Sequence, residues 1–312
     1  MHTPVDAACD DGVFCTRDRC DPAHGCRHPH DDTLCDDGID CTIDTCVTAT
    51  DACRHDACDN RCDDGVFCNG VERCDTAIGC VAGPPACRIP GCGPGTCHEN
   101  GQTCTVMPSC APGPTLVVTD STGALVSVAL DGQHSVIAPS HGDVHFDIAI
   151  VDGRWFAIDP TPALVELKPN TNHVKNSWPA PDANSLGAGP DGMLYAANSH
   201  VFRIDPDSGA FSQIASLPPG YSSSGDIAFL GSRMFVSADG PCGGALVEVL
   251  PDGTSQVIGG DGLGCVYGLA STGSTLYVMN CDGKLGTFDP DTGEARVIST
   301  PNLSVYGADI LP

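Results

Sequence analysis

The chain has 312 residues, long enough for two domains, and a formal charge of -26 from 40 acidic residues against 14 Lys and Arg. That balance argues against nucleic acid, whose phosphates demand cations, and against anionic membrane surfaces. No apolar run approaches the ~20 residues that a membrane-spanning helix needs, so no membrane span is expected.

In chain order, the start "MHTPVDAACDDG" has neither a basic stretch nor an apolar one, so no signal peptide is read in it. A cysteine phrase follows: "CDDGVFCTRDRC" from Cys9, "CDDGIDCTIDTC" from Cys35 and "CDDGVFCNGVERC" from Cys62. Each unit carries four cysteines: Cys9, Cys15, Cys20, Cys26; Cys35, Cys41, Cys46, Cys53; Cys62, Cys68, Cys74, Cys80. Cys58, Cys87, Cys92, Cys97, Cys104 and Cys110 follow with drifting spacing. Eighteen of the 21 cysteines thus fall in residues 9–110, a segment poor in large apolar side chains. Such a segment cannot build a sufficient core, so crosslinks must stand in for one. No C-x2-C pair of the zinc-binding kind occurs, and disulfides are expected. Disulfides on this scale place the protein in an oxidising compartment, the cell surface, periplasm or medium.

The phrase C-x-D-G-x2-C-T-x-D-x-C over about residues 9–85 resembles the cysteine-rich slime mould repeat of extracellular-matrix proteins, also found in exported bacterial proteins. The resemblance implies an extracellular structural or adhesive module and no enzyme. The third unit departs from it, with one extra residue in "CNGVERC".

Two readings of "DDG" stand side by side. Asp followed by Gly suits a tight turn, with Gly supplying positive φ. Alternatively, clustered carboxylates bind Ca2+: Asp10, Asp11, Asp18 and Asp21 in the first unit, Asp36, Asp37, Asp40 and Asp44 in the second. The EF-hand rhythm is missing. No cofactor other than Ca2+ is indicated. His24, His28, His30 and His55 are expected to face solvent. The string "CGPGTCH" at Cys92–His98 departs from the C-x2-C-H of haem attachment and is read as part of the disulfide run.

"APGP" at residues 111–114 reads as a linker. From residue 115 to 312 apolar strands alternate with Asp/Gly/Pro/Asn turns. Ala149, Ala188, Ala228, Ala270 and Ala308 recur every 38 to 42 residues, each opening a four-strand unit. Four strands per ~40 residues is the signature of a β-propeller blade. "VYGADIL" near the end is a first strand lacking the other three, and the strands near Thr115 are the other three lacking a first. Joined, they complete a fifth blade. The expectation is an all-β fold: a disulfide-rich, loop-dominated array over 1–110, then a five-bladed propeller over 115–312. The propeller is similar to the NHL-like and YVTN-like extracellular propellers.

Second strands end in polar residues: Asp120, Asp159, Asn198, Asp239 and Asn280. The loops around them add His141, His145, Asn184, His200, Ser224 and Ser304. This ring is the ligand-site candidate at the channel mouth; the rival reading is that Asp and Asn simply open turns there. The functional expectation is an exported, non-enzymatic binding, adhesive or structural protein whose partner is an extracellular protein or glycan. The alternative is a secreted glycosidase-like or lactonase-like hydrolase using Asp120, Asp159 and Asp239, with Ca2+. It lacks a G-x-S-x-G elbow and a channel Glu. The eighteen early cysteines can all pair among themselves. Of the last three, glycine-flanked Cys242 and Cys265 are expected to pair and Cys281 to stay a thiol; Cys265–Cys281 is the rival pairing.

Overall fold

The computed structural model describes residues 6–88, 94–105, 113–140, 142, 144–260 and 262–311. Cys92, Cys110, His141 and half of the expected linker lie outside them. Among the described residues regular structure is strand and short 3-10 turns, with no α-helix.

The cysteine-rich segment is a series of hairpins: β1 (Arg19–Asp21) with β2 (Gly25–Arg27), β3 (Thr42–Val47) with β4 (Ala52–Ala57), β5 (Arg73–Asp75) with β6 (Gly79–Val81), and β7 (Thr96–His98) with β8 (Thr103–Thr105). Before each of the first three, a 3-10 turn begins at an aspartate three residues ahead of the unit's first cysteine. That carboxylate accepts the backbone N–H of the unit's third cysteine: Asp6 from Cys20 at 2.8 Å, Asp32 from Cys46 at 2.9 Å, Asp59 from Cys74 at 2.6 Å. Local hydrogen bonds of this kind shape a segment that has little apolar surface to bury.

The remaining strands form five four-stranded antiparallel sheets. The first contains β9 (Thr115–Asp120), β10 (Leu125–Ala129) and β11 (His134–Ala138). The second is β12 (Asp147–Val151), β13 (Arg154–Asp159), β14 (Ala163–Leu167) and β15 (Val174–Pro179). The third is β16 (Ser185–Ala188), β17 (Leu194–Ala197), β18 (His200–Ile204) and β19 (Phe211–Ser216). The fourth is β20 (Ser222–Leu230), β21 (Arg233–Gly240), β22 (Gly243–Val249) and β23 (Ser255–Gly260). The fifth is β24 (Val266–Thr272), β25 (Thr275–Asn280), β26 (Leu285–Phe288) and β27 (Ala295–Ser299). The last strand, β28 (Val305–Ile310), pairs antiparallel with β9 and completes the first blade. The ring is therefore closed by both ends of the segment, and the five-bladed all-β propeller expected from the sequence is the fold.

Small residues on the inner strands are a steric requirement. A Cβ at Gly187 would collide with the Ile227 carbonyl of the next blade, and one at Gly307 with the Asp147 carboxylate. The second and third strands supply the inter-blade core, with Leu116, Leu125, Phe156, Leu164, Leu194, Phe235 and Leu246 fully buried.

A clamp appears in alternate blades. Arg154 spans Glu166 (3.0 Å), Asp207 (2.6 Å) and the Pro206 carbonyl, and lies over Phe156. Arg233 does the same with Glu248 (2.7 Å), Asp291 (2.7 Å), the Pro290 carbonyl and Phe235. Each arginine thus ties its own blade to the D-P-D-x-G turn of the next.

The chain divides into two compact units. The first is Met1–Cys62 with Cys74–Val81; the second is Asp63–Arg73 with Ala82–Pro312. The division expected at 110 is therefore corrected: Asp63–Arg73 and the chain from Ala82 onward group with the propeller. The reason is packing. Phe67, Ala86 and Cys87 share a core cluster with Phe235, Leu246, Val278 and Val297. The Cys87 N–H donates to the Val297 carbonyl, and Lys284 lies 5.5 Å from the Phe67 ring.

Candidate functional site

The expected ring of polar strand ends is built mostly of stitches. Asp120 accepts from the Thr122 and Ala124 N–H groups and the Thr122 hydroxyl, shaping its own turn. Asn280 is buried, donates to the Leu263 carbonyl and accepts from Asp282 and Lys284. His145 is fully buried: Nδ1 faces Asp159 at 2.5 Å and Nε2 faces Asn172 Oδ1 at 3.1 Å. Asn172 in turn donates to Gly123 O, so this chain joins the second blade to the first. Asn184 donates to the Ser223 carbonyl and the Ser224 hydroxyl to the Val266 carbonyl, each reaching the following blade. Asn198 is half-buried, and its carbonyl accepts from Ser223. His200 and Asp239 are exposed. His200 meets the Ser199 hydroxyl at 3.0 Å, and desolvation raises the Asp239 carboxyl above its usual range. Among the described residues of the ring one acid–base contact comes together, His145 with Asp159, and it is enclosed by Asn172.

The acids that occupy the channel were not anticipated. Asp147 and Asp226 lie on inner strands of the second and fourth blades, both fully buried. Asp147 accepts from Ile148 N (2.7 Å) and Leu186 N (2.6 Å). Asp226 accepts from Ile227 N (2.6 Å), Leu269 N (2.6 Å) and Ala308 N (2.9 Å). These five amides come one from each blade. Two carboxyls therefore satisfy a complete ring of inward-facing N–H groups. Burial raises both acids well above the normal carboxylate range; for Asp147 the neighbouring Asp226 charge adds to it. Two neighbouring carboxyls in a dry channel do not both ionise readily, which is why both are raised. Asp309, lining the same small cavity as Leu186, Ile227 and Leu269, accepts from Ile150 N and Ile310 N, and burial pushes it up to about 6. The sequence signal was the "D-I-A" of "FDIAI" and "GDIAF", an acid beside the alanine of a crowded inner strand.

In the cysteine-rich units six of the eight Ca2+ candidates fall into two equivalent sets, Asp10, Asp11 and Asp18 and then Asp36, Asp37 and Asp44. Asp10 and Asp36 accept from Gly12 and Gly38, which have φ of 77° and 75°. Asp11 and Asp37 accept from Val13 and Thr16, and from Ile39 and Thr42. Asp18 and Asp44 face the imidazoles of His28 (2.8 Å) and His55 (2.7 Å). These histidines, expected to face solvent, are only partly exposed, at 35% and 32% of their side-chain surface, beside the paired aspartates. Each set brings two carboxylates and one imidazole nitrogen within 4.8 Å of one another, Asp11, Asp18 and His28 and then Asp37, Asp44 and His55, a mixed donor set, whereas Ca2+ takes six to eight oxygens. Several of these oxygens are already held by backbone and hydroxyl donors. The Asp44 contact raises His55 above its ordinary value and holds Asp44 below its own.

Disulfides follow one rule. First and fourth cysteines of a unit pair: Cys9–Cys26, Cys35–Cys53 and Cys62–Cys80, with Cα separations of 5.3, 5.4 and 5.3 Å, and Cys87–Cys104, at 5.2 Å with Cys97 between them, makes a fourth unit that the drifting spacing had hidden. The second cysteine of each unit pairs with the third of the next: Cys15–Cys46, Cys41–Cys74 and Cys68–Cys97, each at 5.7 Å. Two expectations are corrected. Cys20 and Cys58 are free thiols, so the eighteen do not all pair. Cys265 bridges Cys281, not Cys242. The β24–β25 register sets Val266 opposite Asn280, so the flanking cysteines face each other across one hairpin.

The sequence matches no protein-family profile and no curated protein. Among solved structures, a chain of a nidogen/laminin complex aligns at TM-score 0.42 and 13% identity, covering 64% of this chain and 98% of that one. A putative gluconolactonase aligns at 0.42 and 19%, covering 63% and 82%. BamB from Moraxella catarrhalis aligns at 0.32 and 12%, covering 59% and 60%.

Proposed function

We propose that this is an exported, non-enzymatic binding or structural protein, with the crosslinked units as a stiff spacer and the propeller as the part that binds an extracellular protein or glycan. The observation that carries the reading is the bridge from each unit to the next. It is a device for holding an extended series of small units in fixed register where no core could. The resemblance of "CDDGIDCTIDTC" to extracellular-matrix repeats points the same way. The cysteine content favours an oxidising, extracellular location. The hydrolase alternative needs a free acid and base at the channel mouth. Asp120 and Asp159 are engaged by their own turns and by His145, and Asp239 stands alone. The test is a binding screen of the full chain against matrix proteins and glycans, run beside a turnover assay on polysaccharides and lactones. Saturable binding without turnover is the expected result. Turnover that disappears in the Asp159→Asn, Asp239→Asn double variant would replace this reading with the hydrolase.

A further inference from the structure

Two imidazoles of the cysteine-rich units each meet two carboxylates at a single nitrogen. His28 Nδ1 lies 2.8 Å from Asp18 Oδ1 and 3.6 Å from Asp11 Oδ2; His55 Nδ1 lies 2.7 Å from Asp44 Oδ1 and 3.4 Å from Asp37 Oδ2. One ring nitrogen carries at most one proton, so it can donate to only one of the two acids that face it. The far oxygens of these acids are tied down. Asp11 Oδ1 accepts from the Val13 N–H (3.0 Å) and the Thr16 hydroxyl (2.9 Å), and Asp18 Oδ2 from the Asp11 N–H (3.2 Å). Asp37 Oδ1 takes the Ile39 N–H and the Thr42 hydroxyl in the same way, and Asp44 Oδ2 takes the Asp37 N–H. Each carboxylate is thus oriented through one oxygen and turns the other to the imidazole. Both sets stay open to water, with side-chain exposures between 15% and 35%.

We propose that Asp11, Asp18 and His28, and Asp37, Asp44 and His55, are two equivalent binding sites for a divalent cation of the zinc class. Zn2+ takes imidazole nitrogen and carboxylate oxygen in a tetrahedron at about 2.1 Å, which sets ligand atoms about 3.4 Å apart. The Asp11 and Asp37 contacts already have that spacing. Asp18 and Asp44, now at hydrogen-bond distance, need only withdraw by a fraction of an ångström. Water takes the remaining position. The ligands come from the start, the middle and the end of each unit, so a bound ion closes the unit as its first-to-fourth disulfide does. The third unit is an internal contrast. Asp64 and Glu72 stand where Asp11 and Asp18 do, but Ala82 takes the place of the histidine that follows the fourth cysteine. The inference does not depend on what the propeller binds.

The experiment uses the full oxidised chain, its accessible thiols alkylated and its metal removed with a chelator. It is titrated with Zn2+ alone, bound metal is counted by elemental analysis, and the imidazole nitrogens are followed by NMR. Two ions per chain are expected. The Nδ1 signals of His28 and His55 should shift on binding while those of His24 and His30 stay, and a large excess of Ca2+ should displace neither ion. His28→Ala and His55→Ala should each remove one ion with the disulfide map unchanged. Thr42→Val, which takes away only the hydroxyl that holds Asp37, should weaken the second site about 10–100-fold and leave the first as it was. No ion retained by the unaltered chain, a Zn2+ titration that leaves the His28 and His55 signals in place, or two ions retained by the double histidine variant overturns the inference. So does a third ion of equal affinity, which would show that the imidazole is not what selects the metal. The count on the unaltered chain stands whether or not any variant folds.

Discussion

Aspartate does opposite work in the two units. In the first, carboxylates sit near the surface, accept from backbone N–H groups or face a histidine, and are held below their usual range: Asp11 by Val13 N–H, Asp21 by Ala23 N–H, Asp44 by His55. In the propeller channel, Asp147, Asp226 and Asp309 are raised by burial although each also accepts N–H groups. The same hydrogen bonds therefore do not decide the outcome; loss of water does. The first unit spends aspartate on shaping a chain that crosslinks then fix. The second uses it to satisfy amides that a narrow channel would otherwise leave without acceptors.

The comparison breaks most visibly at Asp226. Asp226→Ala leaves Ile227, Leu269 and Ala308 N–H groups without their acceptor. At about 1–3 kcal/mol per orphaned buried donor, the propeller should lose at least ~3 kcal/mol in urea unfolding, with the first unit's disulfide map unchanged. A propeller of wild-type stability would mean that the amide ring is satisfied some other way.

Next comes the inter-blade clamp. Glu166 is nearly buried, and Arg154, Lys175 and Asn176 hold it at about 2. Arg154→Ala should cost about 1.5–3 kcal/mol, the scale for losing hydrogen bonds to a charged group, since Lys175 and Asn176 still hold the carboxylate. Arg233→Ala should behave alike if the two clamps are equivalent. A double variant tests whether the losses add.

The channel acids predict an inverted acid response. Asp309 has a folded value of about 6 against an ordinary 3.8. The folded state keeps the proton longer, so this contribution is complete below about pH 4 and is lost as pH rises to about 6. A rise of that size corresponds to roughly 2–3 kcal/mol. Propeller melting should therefore rise on acidification from pH 7 to 4.5, and Asp309→Asn should flatten that slope. For the lowered Asp44 the sign reverses, its contribution being present above about pH 4 and lost below. His55, raised, contributes below about pH 6.5 and loses it as pH climbs through its folded value. This smallest effect is read by NMR: His55 should titrate above the ordinary histidine value, and Asp44→Asn should return it towards normal.

The propeller was legible because its constraints repeat. The alanines of the inner strands, the alternation of the second strands and the split blade at the two ends all follow from ring closure. The channel acids were not, because an aspartate at a strand start reads as a turn residue until the ring places it against four other blades. Residue numbers alone gave four cysteines per unit but no pairing, since bridges such as Cys15–Cys46 join neighbours in the array and are set by how units stack. Glycines around Cys242 and Cys265 suggested close approach, yet hairpin register at Val266 and Asn280 decided the pairing. The composition boundary at 110 missed that Phe67 and Cys87 pack as propeller core.

The most direct test of the contrast between a crosslinked unit and a packed one is limited proteolysis of the intact chain with and without reductant, read by mass spectrometry. Five bridges hold the first unit, from Cys9–Cys26 to Cys62–Cys80, whereas the propeller blades carry buried apolar strands. Reduction should open cleavage sites throughout residues 9–62 while residues 115–311 survive as a protected fragment. Equal protection of both segments after reduction, or their simultaneous loss, would contradict the account.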